Sequence, residues 1–426
     1  MYLPDGYTTL EKLREAGEFA EYELFFGPNH PGMHGNFGYV LTMVGTEIVR
    51  VRPNAGMLHR GFEKAMENKP WAANLSLIPR VCVPDPDPNE VAYCQAVEKL
   101  LGCEVPMRAR FLRSITLELS RLGSLYMGMG ALAGALGHYS TMYLMMVERD
   151  LILDRFEALT GARVYHIYNI PGGVRNDAPA GWMESVLKML DHFESQRSEY
   201  DRLLYENPVV GKRLEGLAPI SAKEAMESGV TGPSLRACGV KADVRVDAPY
   251  AAYDQVQVDV PTSGGGDALA RAVQVRLDFA ESIRILRRLI AAIPTGPVNL
   301  DLGNLAKLRV PAGDAYSKVE SSKGEFGYYV VSDGGEKPYR VSVRGPSLPA
   351  GLYLCHKHLP GMKIAFAAGD ALHNQSGVLV CQNCHVFSAL LQSTLSVCFQ
   401  YVDRLPCAVC ADARRNRFAH GVFARC

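Results

Sequence analysis

The sequence of 426 residues has no surplus charge, with 45 Lys and Arg balancing 45 Asp and Glu. That balance gives no reason to expect nucleic acid or an anionic membrane surface as a partner. A nucleotide cradle is also lacking: neither G-x-G-x-x-G after a strand nor G-x-x-x-x-G-K-[ST] occurs, so any nicotinamide chemistry lies outside this chain. There is no internal repeat and no low-complexity tract. The start, MYLPDGYTTLEKLREAGEF, has neither the basic and apolar regions of a secretory signal nor an Arg-rich, acid-poor transit pattern. One run, residues 127–146, has the length of a membrane span. Its His138, its small residues and the Glu148-Arg149-Asp150 that follows point instead to a helix pair buried in protein, so no direct span is expected.

Cysteine is present but unevenly placed. Of eleven, four are scattered (Cys82, Cys94, Cys103, Cys238) and seven lie after residue 354. An odd count without a secretory signal argues for thiols in a reducing compartment and against a disulfide framework. Near the C-terminus stand Cys381-x-x-Cys384 and Cys407-x-x-Cys410 with 22 residues between the pairs, a spacing that fits a structural zinc site of four thiolates. A metal-free cysteine-rich tail is the competing reading.

The length exceeds what one small core organises, so several subregions are expected. Residues 1–55 read as a short helix and then a strand pair, GYVLTMV and EIVRVRP, separated by Gly45-Thr46. Residues 56–300 read as a helical core. Short helices are predicted over 56–68 and 89–102, the second opened by Asn89 as N-cap. Apolar residues at Leu112, Ile115, Leu119, Leu122, Tyr126 and Met129 recur at helical spacing in a long helix from about 106 to 133. Further long helices are expected over about 140–159, 181–204 and 267–293, and such stripes must bury one another in a bundle. Residues 232–254, punctuated by Gly and Pro, read as a structured loop. Residues 301–360 hold a hairpin, GYYVVSD and PYRVSVR around Asp-Gly-Gly. Residues 361–426 form a divergent cysteine-rich segment. The fold class is α+β, mostly α.

The chemistry concentrates in residues 27–71. His30 and His34 stand in a Pro/Gly-rich turn, and His59 follows beside Arg60 at a helix start. Histidine exchanges protons near neutral pH, and these histidines occupy polar turns instead of apolar stripes. The stretches G-P-N-H-P-G-M-H-G and G-M-L-H-R-G-F-E-K, continued by NEVAYCQAVEKLLG, SGVTGPSLRACGV, PYAAYDQVQVDVP and KGEFGYYVVSDGGEKPYRVSVRGPS, resemble the 49 kDa subunit of complex I, the respiratory NADH:quinone oxidoreductase. The resemblance covers roughly residues 25–355. That family is related to the large subunit of nickel–iron hydrogenases, which implies a hydrogenase large-subunit-like fold.

The resemblance implies a core peripheral-arm subunit that forms the quinone pocket beside an iron–sulfur cluster in a small partner subunit. Other peripheral-arm and membrane subunits would be further partners, with NADH oxidised elsewhere in the complex and electron flow coupled to proton translocation. The complex would lie on an inner membrane, on its matrix side in a mitochondrion or its cytoplasmic side in a bacterium. His34 is the implied headgroup donor, with His30 supporting the turn and His59-Arg60 set against the partner's cluster, where a fixed cation raises the reduction potential. Arg108, Arg110 and Arg113 either add to that positive potential or are ordinary helix charges. Two implied quinone-site helpers are replaced: ungapped counting puts Val83 at the tyrosine position and Ala135 at the carboxylate position, and neither can form the required hydrogen bonds. Tyr165 stands where a further histidine is expected, and His166 follows it. A scaffold subunit with a degenerate quinone site is therefore an alternative, as is a membrane-bound hydrogenase relative. Of the four cysteines a nickel–iron site needs, Cys82 and Cys398 are present while Asp85 and Tyr401 fill the other places, so that shell is incomplete.

Overall fold

The structure is a computed structural model, and it describes residues 21–26, 38–45, 47–54, 59–358 and 360. His30, His34, Cys381, Cys384, Cys398, Tyr401, Cys407 and Cys410 lie outside the described residues. Strands β1 (Glu21–Phe26), β2 (Gly38–Val44) and β3 (Glu47–Asn54) form an antiparallel sheet, in which Leu24 pairs with Leu41 and Leu41 with Val51. Helix α1 spans Asp87–Leu101, α2 Met107–Ala135 and α3 Tyr139–Thr160. A short ladder, β4 (Asn169–Ile170) with β5 (Gly173–Val174), precedes α4 (Trp182–Tyr200) and α5 (Ala268–Ala292). A second antiparallel sheet follows, from β6 (Gly313–Ser321), β7 (Gly324–Ser332) and β8 (Arg340–Arg344).

The expected pair β2–β3 and the hairpin β7–β8 are present, and each sheet has a third strand that the sequence reading missed. In β6, GDAYSKVES shows little apolar alternation, because its buried positions include Ser317, Glu320 and Ser321. Two helix starts also differ. The helix expected over 56–68 is, among the described residues, the single turn and a half Phe62–Glu67. Helix α1 begins earlier than predicted, with Pro86 as N-cap, and Asn89 is not its cap: the Asn89 side chain donates to the Asp85 carbonyl oxygen at 3.1 Å. The string Pro84-Asp85-Pro86-Asp87-Pro88 explains this, since proline is favourable in a first turn, where its missing N–H would have no partner.

Helices α2 and α3 are the helix pair expected for the apolar run 127–146, joined by only Leu136–His138; α2 is buried as expected, whereas α3 buries one face and leaves Tyr143 and Val147 exposed among the described residues. Glycines let them approach: a Cβ at Gly130 would meet Met146 at 2.7 Å, and one at Gly134 would meet the Met142 sulfur at 2.8 Å. The other face of α2 packs on α5. Tyr126 of α2 meets Phe193 and Phe279 edge-on, with ring centroids 5.0 and 4.8 Å away. Among the described residues no helix is long and apolar enough to cross a membrane.

The segment 232–254 contains two single helical turns, Pro233–Arg236 and Val244–Asp247, and inserts charge into the core. Arg236 is fully buried and donates to Glu320 and Asp278, each at 2.8 Å, and to Asp243 at 3.3 Å. Arg245 grips both Asp243 oxygens, at 2.9 and 2.7 Å, and donates to Glu118 at 2.9 Å. Arg121 donates to the Ser321 carbonyl at 3.0 Å and lies 3.4 Å from Glu118. One lattice of buried ions thus joins α2, the 232–254 segment, α5 and β6. Burying a charge is expensive, and removing one partner leaves the rest uncompensated. Arg236→Met is therefore expected to lower unfolding free energy by about 3–5 kcal/mol. Urea titration of the purified protein checks this, and a loss under about 1 kcal/mol would show that the lattice is not needed for stability.

Candidate functional site

The segment 80–90 supplies one wall of the candidate site, and the turn between β6 and β7 supplies another. Cys82 is buried. Asp85 is 1% exposed and saturated with donors: Ser120 donates to Oδ1 at 2.9 Å, and the Ser322 hydroxyl and N–H donate to Oδ2 at 2.7 and 2.8 Å. Lys323 reaches in from the same turn. Its Nζ donates to Ser124 Oγ at 2.6 Å and lies 3.9 Å from both Asp85 Oδ2 and Cys82 Sγ. The result is a buried polar centre of one thiol, one carboxylate, one ammonium and three hydroxyls. Gly232 helps set the turn: at φ +66° it lies so close that a Cβ there would be 2.2 Å from the Gly324 Cα.

This centre does not fit a nickel–iron ion pair. Asp85 replaces a thiolate, and its two oxygens are already engaged by serines. Among the described residues no group of three or more His, Cys, Asp or Glu is arranged to hold a metal.

Beyond Cys82, Val83 is half-buried and lines a narrow cleft with Ser120, Gly123, Arg149, Phe156, Arg163 and His166. Arg60 is exposed, stacks at 4.7 Å over Phe62 and donates to the Arg80 carbonyl at 3.2 Å, so its guanidinium lies against the strip that carries Val83. His59 is exposed beside it. Ala135 is not part of this cleft. It is buried at the end of α2 among Leu132, Val210, Leu214 and Ala268, so the two replaced positions do not line one cavity here. Arg108, Arg110 and Arg113 are neutralised by Asp177, Asp254 and Glu98 at 2.8, 2.7 and 2.6 Å, and lend no free positive field.

The sequence reading missed a second polar cluster on the cleft wall. His166 Nδ1 donates to Asp87 Oδ2 at 2.8 Å, and its ring stacks on Phe156 with centroids 3.7 Å apart. Glu90 receives three successive backbone N–H groups, from Ile167, Tyr168 and Asn169, at 2.7, 3.0 and 3.1 Å. To present them, Ile167 adopts φ 45°, an outlier for a β-branched residue. Burial and the charge of Asp87 push the Glu90 carboxyl up to about 7, against the opposing pull of His166 and the Asn169 hydrogen bonds. Burial lowers the His166 basicity, but the charge and hydrogen bond of Asp87 outweigh it, so the imidazole is held above its ordinary value. The available signals were two carboxylates alternating with prolines at 84–88 and a histidine one place past its expected position.

The family model of the 49 kDa subunit of respiratory-chain NADH dehydrogenase matches residues 135–307 and 303–368. The D-type subunit of NADH-quinone oxidoreductase from Thermosipho melanesiensis is 47% identical, covering 81% of this chain and 94% of that protein. The D-type subunit of F(420)H(2) dehydrogenase from Methanosarcina mazei is 38% identical over 80% of this chain and 91% of that protein. Among solved structures, a chain of the membrane-bound sulfane sulfur reductase, an archaeal respiratory membrane complex, superposes with a TM-score of 0.79 at 40% identity, covering 85% of this chain and 98% of that one. The molecule is thus a subunit of an oxidoreductase complex. It belongs to the family of the 49 kDa subunits of complex I, as the motifs around residues 27–71 indicated, and has that family's mixed, mostly helical fold.

Lys323→Met leaves Asp85 without its cation in a buried site and is expected to cost about 2–4 kcal/mol. The double variant Asp85→Asn/Lys323→Met should recover at least about 1 kcal/mol of the summed losses. Additive losses in a double-mutant cycle would show that the two charges do not interact.

Proposed function

We propose that this chain forms the electron-acceptor pocket of a complex I-type assembly, next to an iron–sulfur cluster carried by a small partner subunit. Electrons leave that cluster for a quinone bound in this chain, and the reaction drives proton translocation by membrane subunits. NADH, or another donor, is oxidised elsewhere in the assembly. The complex sits peripherally on an inner membrane, facing the matrix or the bacterial cytoplasm. The observation that carries this reading is the placement of Arg60 against the Arg80–Val83 strip, beside the buried Cys82–Asp85–Lys323 centre. A guanidinium fixed at such a surface favours the reduced form of a cluster seated against it.

In this assignment His34 donates to a quinone carbonyl, His30 supports its turn and His59 flanks Arg60. Val83 and Ala135 stand at positions where family members offer polar groups. Cys381, Cys384, Cys407 and Cys410 form a structural zinc site, for which four thiolates are a suitable donor set.

A second acceptor is favoured by one observation. Val83 offers no hydrogen bond where a quinone would need one, and a relative 40% identical in sequence belongs to a sulfane sulfur reductase. The assembled complex should be assayed with a quinone and with polysulfide, each with and without a quinone-site inhibitor. Inhibitor-sensitive quinone turnover is expected, and Val83→Tyr should raise quinone kcat/KM by about ten-fold through the restored hydrogen bond. Turnover of polysulfide alone moves the assignment to sulfur reduction. No turnover of either acceptor leaves only a scaffold role. Elemental analysis of the same preparation should find zinc that is lost in Cys407→Ser, and no nickel. Bound nickel would revive the hydrogenase alternative.

A further inference from the structure

Reduction of the acceptor consumes protons, and the described wall beside Val83 offers none from Val83 itself. We propose that Asp87 and His166 form the proton-delivering pair of this pocket, replacing the hydroxyl donor that Val83 lacks. This rests on the acceptor-pocket reading above.

The geometry has four parts. First, His166 and Val83 line the same cleft. Second, the cleft leaves about 10 Å³, space for a single water molecule to bridge from ring to acceptor. Third, the imidazole is oriented by the Nδ1 bond to Asp87 and by its stacking on Phe156. Nε2 is 3.4 Å from the Arg163 carbonyl, beyond the usual hydrogen-bond range, and so is only loosely held. Fourth, Asp87 Oδ1 is buried without a hydrogen-bond partner among the described residues, so the carboxylate depends on His166 for compensation.

The charged groups around the ring are few. Helix α1 presents Asp87 and Glu90, whose negative charge favours imidazolium. Helix α3 presents Arg149 to the cleft, and the loop presents Arg163, which is neutralised by Asp150, Asp154 and Glu157. Helix α2 contributes only Leu119, Ser120 and Gly123 to the cleft.

The step balances simply. Two electrons from the partner's iron–sulfur cluster and two protons convert a quinone to a quinol. One proton leaves His166 Nε2 through the bridging water, and the other comes from solvent. His166 is then neutral, and the imidazole takes its next proton from bulk water. With polysulfide as acceptor, the same proton goes to the sulfide released.

His166 must be protonated to donate, so activity is present at lower pH and falls as pH rises through the imidazole's raised value. Asp87→Asn removes the charge that holds it up, and the alkaline limb of kcat should move down by about one pH unit or more. His166→Gln should abolish that limb and lower kcat about 100-fold, with little change in KM. The measurement is kcat and KM against pH for the assembled complex with whichever acceptor it reduces.

A second readout is independent of the acceptor. Nitrogen-labelled histidine in the assembled complex is followed by solid-state NMR, with His166→Gln identifying the signal. An imidazolium that titrates above the ordinary histidine range in the wild type, and at lower pH in Asp87→Asn, is expected. A neutral His166 at pH 6 overturns the proposal whichever acceptor is used. So does an Asp87→Asn profile that superposes on the wild type. If neither acceptor is reduced but the NMR titration is as expected, the pocket assignment fails while the pair's proton holding stands.

Discussion

The structure depends on the buried lattice in which Arg121, Arg236 and Arg245 are shared among Glu118, Asp243, Asp278 and Glu320. Seven ions in a dry core are tolerable only when nearly every donor meets an acceptor. The seven come from four parts of the chain: α2, the 232–254 segment, α5 and β6. No one of these can be placed without the others. The long helices supply the apolar surface, but the ions fix how the bundle and the second sheet meet. A hydrophobic interface alone would tolerate a slip of one turn, whereas the bonds from Arg245 to Glu118 and from Arg236 to Asp278 and Glu320 would not.

The site depends on the same lattice. Arg121 holds the end of β6 through the carbonyls of Glu320 and Ser321. The next two residues are Ser322 and Lys323, which complete the polar centre with Asp85. The β6–β7 turn also closes against Gly232, where a side chain has no room. Lattice, turn and centre therefore form one mechanical path of a few residues. A disturbance at Arg236 would reach Lys323 through Glu320 without passing through the helices.

Much of this architecture was legible in the sequence, and the failures have physical causes. The long helices followed from apolar stripes, which buried helices must carry. The run 127–146 was assigned to a buried pair, and its glycines prove to be where α3 presses on α2. Strand β6 escaped because a strand whose buried positions hold Ser317, Glu320 and Ser321 lacks the alternation that marks strands. The segment 232–254 read as a loop because its order comes from ion pairs with distant residues. Asn89 was a reasonable cap by residue type, but proline at the first helical turns moved the start to Asp87. At the site, Arg60 and Val83 were located by motif and by counting, and the structure brings their strips together. Ala135 was located by the same counting, yet it lies in a different apolar cluster. His166 was noticed only as displaced, because a residue's partner 79 positions away leaves no periodic trace.

Two carboxylates in the string Pro84-Asp85-Pro86-Asp87-Pro88 have opposite surroundings, and the contrast has chemical consequences. Asp85 is enclosed by serine hydroxyls and a backbone N–H, groups that do not titrate, with Lys323 nearby. Its environment is the same on either side of neutrality. Among the described residues one Asp87 oxygen has no hydrogen-bond partner, and the other meets an imidazole whose charge depends on pH. An acceptor that gains electrons and then protons needs both kinds of surroundings. A fixed field keeps the local potential constant between turnovers, and a titratable group exchanges the proton. The prolines make the division: they follow the turn at Val83–Pro84 and start a helix at Asp87, so residues two apart in sequence face different partners, the β6–β7 turn for one and the 163–169 loop for the other.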